Sequence, residues 1–251
     1  MSVGPYERLR LFLMLWAAGV PGIGALVLGW LPIVAGSTVD GPGPSADVLA
    51  LAVGSQLAVL LAAAVAVGMA TAGRCGLHAP VFEAIAARRA AWPALRVQVA
   101  PGLAGGVAGG LWLVAMAALT PTALRAASEA WAAPLAVRLL YGGITEELLV
   151  RWGLMSLLCW LGWRTFGRRS AAPPPAATVA AIGVGALAFG AAHLPSVVAM
   201  LGPPDASVVA WVLVGNGAFG LLAGWLYWRR GLEAAIIAHA TAHALAASLG
   251  H

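Results

Sequence analysis

Apolar residues in this chain fill long unbroken stretches instead of alternating with polar ones. Leu11 to Gly36, Val48 to Ala72 and Val97 to Thr120 contain no Asp, Glu, Lys, Arg or His. Each exceeds the roughly 20 residues that a helix needs to cross a bilayer. Pro134 to Trp163, Ala176 to Leu201, Ala206 to Trp228 and Leu232 to Leu249 are also long enough, but three of these four carry ionisable side chains. The pattern predicts an all-α fold, a polytopic transmembrane helix bundle of about seven spans. Breakers separate them: Gly41 to Pro44 after the first span, Pro173 to Pro175 before the fifth, and Gly202 to Pro204 at its end. Residues 1–133 then form an N-terminal part of three spans, and residues 134–251 a four-span part that holds the polar groups. The first stretch follows Arg8 and Arg10 like a signal peptide, but its apolar run exceeds the usual core of about 7–15 residues and no A-x-A site follows, so it counts as a span.

Composition narrows the class. The chain is 61% hydrophobic and only 9% charged, with a mean hydropathy of +0.90, whereas soluble domains carry about 25% charged residues. A nucleic-acid-binding protein, a disordered chain and a disulfide scaffold are excluded; Cys75 and Cys159 are too few and too far apart for a framework or a zinc site. The net charge of +5 therefore reads as membrane orientation. With the N-terminus inside, the inner segments hold Arg8, Arg10, Arg74, Arg88, Arg89, Arg96, Arg164, Arg168, Arg169, Arg229 and Arg230, and the outer ones only Arg125 and Arg138. That bias predicts a cytoplasmic N-terminus. Trp160, Trp163, Trp225 and Trp228 beside the inner arginines, and Trp131 near the outer side, suit interfacial anchors. Every basic side chain is Arg, and Ala and Gly abound, as in a GC-biased genome. The expected location is the bacterial inner (plasma) membrane, with the lipid bilayer as a partner and no nucleic acid.

The fourth span carries Glu146, Glu147 and Arg151. A charge at a helix centre costs about 2.5–3.5 kcal/mol on the insertion scale, so such groups are functional candidates by default. At 100° per residue Glu147 and Arg151 share a face and can pair, while Glu146 is turned away toward the bundle interior. The alternative is that all three merely lock helices together. His193 lies in the fifth span; His239 and His243 lie at i and i+4 in the last, facing one direction. Their spacing could grip a metal, but the zinc-protease pattern H-E-x-x-H needs Glu where Ala240 stands. Rises of about 1.5 Å per residue scatter these groups in depth, but the helix starts, tilt or a break near Pro195 could bring them together, so depth neither supports nor opposes a shared site. Asn216, the only Asn, is flanked by Gly215, Gly217 and Gly220. It is expected to hydrogen-bond across a small-residue seam, with a place on a cavity wall as the alternative.

Together these motifs resemble the CPBP intramembrane proteases, which include the type II CAAX prenyl endopeptidases and Abi-type homologues. The family's E-E-x-x-x-R stands here as Glu146 to Arg151, its F-x-x-x-H as Phe189 to His193, and its H-x-x-x-N/D as His239 to His243. The likeness extends over about Tyr141 to Leu245. At the last motif position this chain has His243 instead of Asn or Asp, a ring that as a neutral donor could replace the amide.

The resemblance implies an intramembrane endopeptidase cutting a protein or peptide near its C-terminal, membrane-associated segment. A CAAX-type end, a bacteriocin-related peptide and the sorting tail of an exported protein are the substrate classes it offers. It implies that Glu146 activates a water, that His193 assists, that Glu147 and Arg151 support the site, and that His239 and His243 steady the oxyanion. A metal-free glutamic protease without a cofactor is the favoured version; zinc held by Glu146, His193 and His239 is the alternative. A non-catalytic immunity or scaffold protein and a proton-coupled transporter are the competing functions.

Overall fold

The computed structural model describes residues 4–38, 45–125, 131–167 and 170–250, and every regular element among them is helical. The first span, α1, runs from Pro5–Ala25 through a π-helical stretch at Leu26–Trp30 into Leu31–Thr38. Pro5 opens it, where a missing N–H removes no helical bond. Helix α2 (Ala46–Thr71) begins at Ser45, whose hydroxyl accepts from the Val48 N–H. The short α3 (Pro80–Ala86) leads to α4 (Trp92–Ala118). The fourth span, α5, is continuous through Leu135–Val137, Arg138–Glu146, Leu148–Met155 and Ser156–Phe166. Its middle two segments are π-helical, so the angular spacing of an α-helix does not apply across the charged residues.

The predicted fifth span is broken. Helix α6 (Pro175–Ala191) stops before His193, and α7 (Leu194–Leu201) restarts with Pro195 in its first turn. After a turn at Gly202, Asp205 caps α8 (Ala206–Arg229) by accepting from the Ser207 and Val208 N–H groups at 2.9 Å. Helix α9 (Leu232–Ser248) closes the chain. Among the described residues, five helical runs are long and apolar enough to cross a membrane: Pro5–Val34, Ala46–Thr71, Trp92–Ala118, Pro175–Leu201 and Ala206–Arg229. Helices α5 and α9 pack among these five and bring the stretches predicted as spans to seven.

Two glycine seams set the positions of α5 and α9. Gly102, Gly105, Gly106, Gly109 and Gly110 line one face of α4 and let α9 approach against Ile237, Ala238, Thr241, Ala242 and Leu245. This is the most extensive helix pair among the described residues. On the other side, Gly19 and Gly22 of α1 lie against Leu148, Thr145 and Leu140 of α5, and the Thr145 hydroxyl donates to the Gly19 carbonyl at 2.8 Å. Gly68 of α2 receives Trp152, whose indole N–H donates to the Val65 carbonyl. The first three spans thus clamp the polar helices of the second half.

Candidate active site

Glu147 is fully buried in the π-helical part of α5, and two nitrogen-bearing side chains face it. Arg151 Nε lies 3.2 Å from one carboxylate oxygen, and His239 Nδ1 lies 2.8 Å from the other. The first contact is the i, i+4 pair expected from sequence. The second, between α5 and α9, is not visible in the sequence. Arg151 also donates to the Gly220 carbonyl of α8 at 3.3 Å and lies over the Phe189 ring of α6, 4.7 Å from its centroid. One guanidinium therefore joins α5, α6 and α8 behind the site.

Glu146 points the other way, into a cavity of about 450 Å³ whose wall also contains His193, His239, His243, Asn216 and Tyr141. Among the described residues the Glu146 carboxylate has no hydrogen-bonding or ion-pairing partner. Leu26, Trp30, Leu113, Val137 and Val150 complete an apolar wall. The helix break after Ala191 and the π-helical course of α5 accompany this convergence, which the straight-helix depths neither supported nor opposed.

The rings are fixed by their neighbours. His193 Nδ1 lies 2.8 Å from the Phe189 carbonyl, so that nitrogen carries the proton and Nε2 is left as an acceptor. Phe189 sets its edge against both His193 and His239, at centroid distances of 4.9 and 6.0 Å. Phe219 closes on His239 at 4.6 Å, and His239 and His243 stack at 4.9 Å. Their Nε2 atoms face Gly142: a Cβ there would stand 3.0 Å from that of His243 and 3.6 Å from that of His239. His243 Nδ1 is buried with no partner among the described residues. An unprotonated Nδ1 leaves only a lone pair unsatisfied and places the ring's proton on Nε2.

Asn216 departs from its expected role. Its amide donates to the Val212 carbonyl of its own helix at 3.0 Å, while the residue lines the cavity. Gly142, Phe219 and the Glu147 to His239 contact were missed in the sequence; Gly142-Gly143, next to the acidic pair, was the available signal. Among the described residues no three of His, Cys, Asp and Glu gather in an arrangement that could hold a metal ion.

Residues 128–245 match the model of the type II CAAX prenyl endopeptidase Rce1-like family. The second half of this chain is similar to that family. The match begins ahead of Tyr141 and includes all three motifs, so the CPBP resemblance stands. The Rce1-like family is one of intramembrane CAAX-type endopeptidases acting on proteins with membrane-associated C-termini. No significant match exists among curated proteins or solved structures.

The matched segment is tied to the helices that precede it. Glu233, in the first turn of α9, accepts from the Val81 and Phe82 N–H groups at 2.8 and 3.0 Å, and Leu232 donates to the His78 carbonyl at 3.0 Å. Gly231, at φ +132°, a conformation open to Gly, packs on Pro80. These contacts tie α9 to α3 and so set the height of His239, six residues or about 9 Å further along.

Proposed function

We propose that this protein hydrolyses a peptide bond near the C-terminus or membrane segment of a protein substrate, with Glu146 as the base that activates water. The observation that carries the reading is the single cavity bringing an unpartnered carboxylate together with three imidazoles. Glu146 takes a proton from a water lying between it and His193, whose free Nε2 is positioned to share it. The oxygen formed attacks the scissile carbonyl. His243, donating from Nε2, stabilises the oxyanion; His239 joins it when it carries a second proton, opposite the Glu147 carboxylate that receives its Nδ1 proton. Glu146 then returns its proton to the leaving amine. Glu147 and Arg151 position His239 and do not touch substrate.

The apolar wall suits an extended hydrophobic peptide, and the volume falls within the range of about 300–1,000 Å³ usual for ligand pockets. We keep the mechanism metal-free. That choice is supported by the absence of a three-ligand group among the described residues; the Nδ1 contacts of His193 and His239 leave both Nε2 atoms free and fit either version. The test is a vesicle-reconstituted chain given peptides with a prenylated or an apolar C-terminal segment, the fragments being identified by mass. Cleavage a few residues from the C-terminus, unaffected by 1,10-phenanthroline, is expected. No cleavage of any such peptide, with uptake of protons or solute instead, would favour the transporter.

A further inference from the structure

A second cavity, of about 700 Å³, lies at the end of the bundle where the arginine bias predicts the cytoplasm. Arg8 of α1, Arg74 in the turn after α2 and Arg89 after α3 reach it from three separate segments, together with His78, Glu7 and Glu83. The acidic groups do not neutralise this set. Glu83 already accepts from the Ala79 N–H at 3.1 Å and pairs with His78 at 3.5 Å. Among the described residues Arg8 and Arg74 have neither a hydrogen-bonded side-chain partner nor an ion pair. Three guanidiniums therefore face two carboxylates, Glu7 and Glu83, and the second is already engaged by His78, the Ala79 N–H and the charge of Arg89. The remaining wall is apolar, made by Leu11, Met69 and Trp152 of three bilayer helices.

We propose that this cavity binds the phosphate of an anionic phospholipid headgroup, with Arg8 and Arg74 as its principal contacts. Guanidiniums recognise phosphate oxygens through paired donors, and basic pockets between membrane helices at the cytoplasmic face are suited to anionic headgroups. An apolar wall continuing from the cations into the bilayer fits a ligand carrying acyl chains beneath its phosphate. A soluble phosphate gains nothing from that wall. Because α1, α2 and α5 all border the cavity, a bound lipid would also brace the helices around the active site.

The test uses the full chain in neutral detergent, with bound lipid read by native mass spectrometry after addition of phosphatidylglycerol or phosphatidylcholine. Wild-type protein is expected to retain one phosphatidylglycerol in clear preference to phosphatidylcholine. R8Q/R74Q should reduce that retention by about tenfold, whereas R229Q/R230Q, which removes equal charge at the same end, should leave it unchanged. E7Q should strengthen retention and guards against misfolding of the arginine variant. Equal retention of both lipids, equal loss in the two arginine pairs, or weaker retention in E7Q overturns the proposal. Inorganic phosphate that displaces the lipid at millimolar concentration, beyond chloride of equal ionic strength, overturns the lipid assignment and leaves a soluble anion site.

Discussion

The two adjacent glutamates have opposite fates. Glu147 is fixed between Arg151 and His239, and Glu146 faces the cavity without a partner among the described residues. Removing one member of a buried charged network costs about 3–5 kcal/mol. Glu147→Gln, which leaves Arg151 uncompensated, should therefore lower the melting temperature in detergent as well as activity. His243→Asn should hold kcat/KM within about threefold of wild type, because both side chains supply one neutral donor; inactivation would remove His243 from the proposed oxyanion site. Gly142→Ala is a subtler test. Its methyl group would press on His243 Nε2 from 3.0 Å, and a small misplacement of a catalytic group can cost about 10²-fold. A loss of tenfold or more with an unchanged melt is expected.

At the scale of elements, the limits of span boundaries agree within a few residues with the hydropathy pattern, because long apolar stretches between arginines leave few alternatives. Two decisive features were not legible. Hydropathy does not distinguish a π-helix from an α-helix, so the course of α5 was hidden, and Pro195 marked the break after α6 only as a possibility. The glycines from Gly102 to Gly110 did carry a small-xxx-small signal for the α4 to α9 seam. The α3 connection offers two tests. Glu233→Ala, which frees two backbone donors, should cost about 1.5–3 kcal/mol per the usual worth of hydrogen bonds to a charged group, read as a lower melting temperature.

The second test is pH. The hydrogen bond to Glu83 raises His78 above its ordinary 6.5 against the opposing effect of burial. Burial pushes Glu83 up, but the bonds from His78 and the Ala79 N–H, with the charges of His78 and Arg89, outweigh it and leave it below 4.5. The His78 contribution is full below pH 6.5 and fades as pH rises through the raised value; that of Glu83 is full above 4.5 and fades as pH falls through the lowered one. The melting difference between wild type and His78→Gln should be largest between pH 4.5 and 6.5, and worth under about 1 kcal/mol because both groups reach solvent. A difference that grows at alkaline pH would contradict the pairing.

Across the whole molecule, the six residues of the three motifs were legible as types and spacings, but their meeting was not. Glu146 and His239 are far apart in sequence, and only the packing of α4 and α1 on either side brings α9 against α5. The N-terminal spans thus pack on both site-bearing helices of the matched segment. The most direct measurement is the rate of peptide cleavage by Glu146→Gln in reconstituted vesicles, compared with wild type at matched folded fraction. Loss of the base predicts a fall of about 10²- to 10⁴-fold with an unchanged melting temperature; cleavage within about threefold of wild type would contradict the account.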